Sequence, residues 1–279
     1  MTERAPWWGD RWGAAGLIVL GAFVVLATLA PWVGPAHLVS DVVSMRFLPP
    51  ISRDAQGVFH ALGTDRLGRD VWSRLLYGAR VSLAVGGLTM ALSLVIGVLV
   101  GATAAFASHT VSTMLLGFTD FALGLPRVIL LLLLATLWPP SAVQVVLVLG
   151  VTGWMSIARL VHGEVRSQLG RPYVAGAAAL GVGRARLLLR HIVPHASPPI
   201  LAAVALGVGN AITLEAGLSF LGLGVQPPTA SWGSLIASGR DTVVNAPWVG
   251  LAPGVALVLV VVACALVADG LQERTAQES

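Results

Sequence analysis

The sequence contains no lysine; all 17 of its basic residues are arginine. A phosphate loop of the G-x-x-x-x-G-K-[ST] type needs its lysine to reach the terminal phosphates. The chain therefore holds no such nucleotide site, and lysine Schiff-base chemistry is excluded too. Cysteine is nearly absent: Cys264 stands alone in an apolar run, which rules out an intrachain disulfide and leaves the redox compartment unreadable. Charge is scarce as well. Only 11% of residues are charged, against about one quarter in a soluble domain, while 56% are hydrophobic. This is the composition of an integral membrane protein. No Gly-x-Ser-x-Gly elbow and no HExxH occurs. With no nucleophile–base pair or metal set, the chain reads as a non-enzyme without cofactor. His191 and His195 have a metal-ligand spacing, but Pro194 lies between them and no cysteine or carboxylate is near. The net charge of +4 is explained by arginines collecting beside membrane spans rather than by nucleic acid.

What is present is a series of apolar stretches. Trp12 and Trp32 bracket a first span, Gly13–Val33; their separation corresponds to about 30 Å of helix, the thickness of a hydrocarbon core. This run is too long for a signal peptide and has no nearby A-x-A site, so it reads as an uncleaved anchor. Further spans are expected at Val81–Phe106, Val111–Trp138, Ala142–Leu160, Ser197–Leu218 and Val249–Ala268, with breaks at FASHTVST (106–113) and WPPSA (138–142). The expected fold is an all-α bundle of six transmembrane helices with both termini on one side. Placed with the N-terminus inside, the chain has nine arginines in cytoplasmic segments and seven in external ones, a small positive-inside excess. The organisation divides into an N-terminal anchor span and external loop, 1–80, and a transmembrane core, 81–279, with a cytoplasmic loop at 161–196.

Several constellations stand out. RPYVAGAAALGVGRARLLLRHIVP, Arg171–Pro194, is half apolar, and its charged residues are all arginine. Tyr173, Ala177 and Leu180 fall on one face of a short helix, Pro172 suits its first turn, and Gly181 can end it. Two readings stay open. The segment docks into a partner's groove with Arg184 and its neighbours flanking the contact, or it lies on anionic headgroups of the membrane lipid. LGTDRLGRDVWSRLLYGARVS, Leu62–Ser82, reads as turns followed by an interfacial amphipathic helix, with Asp65 or Asp70 capping or pairing locally. Ser219–Asp241 is glycine-rich but lacks a lysine, so a packed external re-entrant loop is expected there rather than a phosphate loop. Asp120, Arg127 and Glu215 fall within apolar stretches. Asp120 and Arg127, seven apart, would share a helix face. The three either line a solute path or form an intramembrane network.

The order of GTDRLGRD, YGARVSL, LEAGLSFLGLGVQPP, SWGSLIASGRD and APW, from Leu62 to Leu271, resembles the DppC/OppC branch of ABC-importer permeases for peptides and nickel. The resemblance implies the type I (MetI-like) permease fold in a bacterial or archaeal inner membrane. It implies import of di- or oligopeptides, or of nickel or another small solute. The partners it implies are a second homologous permease, two ABC ATPase subunits that hydrolyse the ATP, and an extracytoplasmic binding protein. It also makes Tyr173, Ala177, Leu180, Gly181, Arg184 and Pro194 the ATPase-coupling segment, the family's EAA loop. Here Ala175-Gly176-Ala177 stand at the EAA positions, so the family's glutamate is replaced by Ala175. A proton-coupled secondary transporter using Asp120 or Glu215 is the competing expectation, separable by ATP dependence.

Overall fold

The structure, a computed structural model, describes residues 11–34 and 45–278, except for the side chains of residues 178, 184, 185, 189, 191 and 274–278. Its helices are α1 (Arg11–Thr28), α2 (Ala30–Val33), α3 (Val71–Phe106), α4 (His109–Gly124), α5 (Arg127–Ala135), α6 (Ala142–Val151), α7 (Trp154–Leu169), α8 (Pro172–Ala179), α9 (Arg184–Leu187), α10 (Val193–Phe220), α11 (Trp232–Arg240) and α12 (Trp248–Glu278). A π-helical turn, Leu188–Ile192, joins α9 to α10. Among the described residues, four helices are long and apolar enough to cross a membrane, or up to six spans if the bent pairs α4–α5 and α6–α7 each count as one.

The expected spans are recovered with physical amendments. Span two and its interfacial lead-in are one continuous helix, α3, of 36 residues. At 1.5 Å per residue it is about 54 Å long, well beyond a hydrocarbon core of ~30 Å, so it projects from the membrane. Asp70 caps it by accepting from Ser73 N at 2.7 Å. Span three is not one straight helix. Pro126 removes a donor and disfavours helical backbone at Leu125, and α4 and α5 meet at 83°. Span four bends by 40° between α6 and α7 and continues to Leu169. The WPPSA turn ends as expected, with Ser141 and Gln144 forming a reciprocal capping box on α6. In Ser219–Asp241 the chain forms a turn and then α11, whose Trp232 is fully buried.

Close packing follows small residues. On α3, a Cβ at Gly97 would sit 2.7 Å from Ile157 and one at Gly101 would sit 2.4 Å from the Ala158 carbonyl, so the glycines let α7 lie against α3. One apolar cluster joins Ala102 and Ala105 of α3 and Val161 and Val165 of α7 to Val174, Leu187 and Ile192. Another, at the other end of α3, gathers Ala79, Ile212, Trp232, Leu235, Val260 and Cys264.

Candidate functional site

Two regions at opposite ends of α3 and one between them carry the polar chemistry. The 45–70 segment folds into a clasp on the first turn of α3. A two-residue hairpin pairs Ser52 with His60 and Arg53 with Phe59. His60, fully buried, places Nδ1 2.8 Å from Asp70 and Nε2 3.4 Å from Asp54. Asp65, also buried, accepts from the backbone of Leu67 and Arg69 and from the guanidinium groups of Arg69 and Arg74. The expectation that Asp65 and Asp70 act locally is met. Arg74 is itself buried in the clasp. Burial pushes the Asp54 carboxyl up, but hydrogen bonds from Val58 N, Gln56 N and His60 outweigh it and hold Asp54 below the usual aspartate value. Trp248 Nε1 donates to the Thr64 carbonyl at 3.3 Å and fastens the clasp to α12.

At the other end, α8 forms as the spacing predicts, and Gly181 takes φ +81°, the left-handed turn a glycine allows. The anchors are residues that helical spacing alone did not single out: Val174, Leu187 and Ile192 are buried against α3, α7 and α10. Leu180 is 87% exposed, with Tyr173 also exposed and Ala177 partly buried. Tyr173 Oη donates to Gln168 at 2.8 Å, and its ring lies 5.1 Å from that of His195. Pro194 is exposed in the first turn of α10, after the π-turn. Arg184 begins α9, but its side chain lies outside the described residues, as does that of His191.

The three intramembrane charges do not form one group. The bend at Leu125–Pro126 separates Asp120 from Arg127, which corrects the expectation of a shared helix face. Asp120 instead pairs with Arg159 of α7 at 3.0 Å, and both are about half exposed. Arg127, half-buried, lies against the α6–α7 bend: its Nη2 is 3.3 Å from where a Cβ on Gly153 would stand, and its Nε has no hydrogen-bond partner.

Glu215 is fully buried in a cage of hydroxyls. Its Oε1 accepts from Ser219 Oγ at 2.7 Å and its Oε2 from Ser82 Oγ at 3.2 Å. Those hydroxyls in turn accept from Val225 N and Trp232 N. Each serine therefore receives a backbone N–H and passes its own proton to the carboxylate. The cage pins both ends of the 221–231 turn to α3 and α10. Ser219 at i+4 from Glu215 was visible in the sequence, but Ser82, 133 residues away, was not.

The chain matches the family model for the binding-protein-dependent transport system inner membrane component over residues 93–278. It is 34% identical over 264 residues to the di/tripeptide transport system permease protein DppC of Pseudomonas aeruginosa, covering 95% of this chain and 87% of that protein. It is also 34% identical over 265 residues to the dipeptide transport system permease protein DppC of Bacillus subtilis, covering 95% and 81% respectively. Among solved structures, an inward-facing MetNI methionine ABC transporter chain aligns with TM-score 0.52 at 18% identity, covering 71% of this chain and 91% of that one. That likeness shows the MetI-like permease fold.

Proposed function

The chain belongs to the family of binding-protein-dependent transport system inner membrane components, and from that membership we propose that it carries di- or tripeptides inward as one half of a permease pair. The family is a transport component rather than a catalytic one. In this reading two partner ATPase subunits bind and hydrolyse ATP, a second homologous permease completes the pathway, and an extracytoplasmic binding protein delivers the solute. The termini and the 170–192 segment face the cytoplasm, and the clasp and the 221–247 segment face outward. The division into an anchor and external loop, 1–80, and a permease core, 81–279, is kept as a functional one, although α3 runs through the boundary. The solute class rests on the two relatives named for dipeptide transport, each covering 95% of this chain.

The observation that carries the coupling role is the mounting of Leu180. Val174, Leu187 and Ile192 fix the segment to three membrane helices, while Leu180 stands clear of the chain beside a left-handed glycine. An apolar side chain held rigidly in the open suits insertion into a partner's cleft, and its mounting would turn ATPase closure into rigid-body movement of the helices. Ala175 at the place of the family's glutamate leaves this contact apolar rather than ionic. Uptake of a labelled dipeptide into vesicles tests the reading. Uptake should require ATP, both ATPase subunits and the binding protein. Uptake by this chain alone, driven by a proton gradient, would overturn it.

A further inference from the structure

We propose that the outward face of α7, together with Arg127 and Asp120, lines an electropositive aqueous passage that conducts the solute by its carboxylate; the inference rests on the peptide-permease reading above. The residues that α7 turns away from the bundle include Ser156, Arg159, Gly163, Arg166 and Ser167, while Trp154, Met155, Ile157, Ala158, Val161 and Val165 are buried. The exposed positions recur at three and four residues and so form one stripe. Other long helices expose apolar side chains instead: α3 exposes Val95 and Leu99, and α12 exposes Leu251 and Val258. A stripe with two arginines has no place against acyl chains.

The pair is accessible. Asp120 lies eleven residues into α4, and Arg159 lies ten residues before the end of α7. Their side chains are 46% and 58% exposed. There is open space in front of it: a Cβ added at Gly117 on α4, or at Gly163 on α7, meets nothing within 4 Å.

The charges are unequal. Arg159 and Arg166 are exposed on this side with one carboxylate, Asp120; Glu164, partly buried, is turned about 100° from Gly163 around the helix. Arg127 stands at the α6–α7 bend, partly buried with its Nε out of reach of solvent; Arg159 is on α7, and Arg166 is two turns further, ~10 Å along. A carboxylate matches the guanidinium fork in two parallel hydrogen bonds. Handing it from rung to rung replaces each contact as it breaks. Asp120 keeps the middle rung partly neutralised, so that it releases what it binds.

The test uses the full chain with Cys264→Ala and Gly163→Cys, assembled with its partner subunits in inside-out vesicles. Labelling of that cysteine is followed with two membrane-impermeant thiol reagents, anionic sulfonatoethyl and cationic trimethylammonioethyl methanethiosulfonate, each normalised to its rate with free thiol. The anionic reagent should be favoured by about tenfold, within the range by which a charged cleft concentrates counter-ions. Arg159→Gln should bring the ratio near parity, and Asp120→Asn should raise it. Absence of labelling by either reagent means that a partner or lipid covers the face, and overturns the passage. A ratio that ignores both variants overturns the ladder. ATP-driven release of dipeptide preloaded, with the binding protein, into the same inside-out vesicles is scored separately: charge selectivity without release sinks the peptide reading, and release without selectivity sinks the ladder.

Discussion

The clasp at 45–70 and the segment at 170–192 look alike in sequence. Both flank a span, both are rich in arginine, and both are punctuated by glycine. The structure uses them in opposite ways. In the clasp three aspartates, Asp54, Asp65 and Asp70, turn inward and hold His60, Arg69 and Arg74 in a buried polar knot. The 170–192 segment has no acidic residue. Its interior is apolar, built on Val174, Leu187 and Ile192, and Arg171, Arg186 and Arg190 are left at the surface. The difference is set by where carboxylates stand. An aspartate four and nine residues before an arginine turns a basic stretch into a self-contained fastening, and without one the same arginines remain available to solvent, lipid or a partner.

The largest effect is expected where the clasp loses its central acceptor. Asp65→Ala leaves Arg74 buried without its partner, and breaking a buried pair in this way costs about 3–5 kcal/mol. Thermal melting of the purified complex should fall markedly, and protease should gain access to the 45–70 segment while leaving 170–192 unchanged. An unaltered melting curve would show that the knot carries no stability.

Next comes the opposite end. Leu180→Glu touches no buried residue of this chain, so folding should be preserved. In the proposed docked state it places an unpaired charge in an apolar contact. Co-purification of the ATPase subunits should drop at least about tenfold, which is ~1.4 kcal/mol in binding. Full ATPase retention with full uptake would return the segment to the role of a headgroup-lying loop.

Gly181→Val separates mounting from contact. A β-branched residue strains the left-handed backbone by about 1–3 kcal/mol, although the space around Gly181 is open. Leu180 should then be misdirected rather than lost, and uptake should fall more than ATPase association. Equal loss of both would mean that the turn itself is the contact.

The smallest effect is confined to acid pH. The folded clasp holds Asp54 below its ordinary value. Its contribution is therefore fully present above the unfolded value near 3.9 and is lost as pH falls through the folded value. Protection factors at Val58 N and Gln56 N, corrected for the intrinsic pH dependence of exchange, should be flat near neutrality and should fall only below about pH 4. Asp54→Asn should remove that acid step.

Composition and spacing alone determined that this is a helical membrane protein without a nucleotide loop. They also placed its breaks at Phe106, Trp138 and Gly181, and offered Asp65 or Asp70 as a local cap or pair, because hydropathy, proline, glycine and capping act within a few residues. Over Leu62–Leu271 the order of motifs pointed to the permease family before any geometry was known. What lay beyond that reach was decided by packing. A proline at 126 turned one expected span into two helices and parted Asp120 from Arg127, a consequence that spacing counted along an unbroken helix cannot express. Arg159 became the partner of Asp120, and Ser82 that of Glu215, only because α7 packs against α4 and α10 packs against α3. Periodicity marks which face of a helix is apolar. Which buried polar atoms meet depends on helices brought together from distant parts of the chain, and an unpaired polar group in a dry interior is costly enough that such meetings are settled by the tertiary structure as a whole.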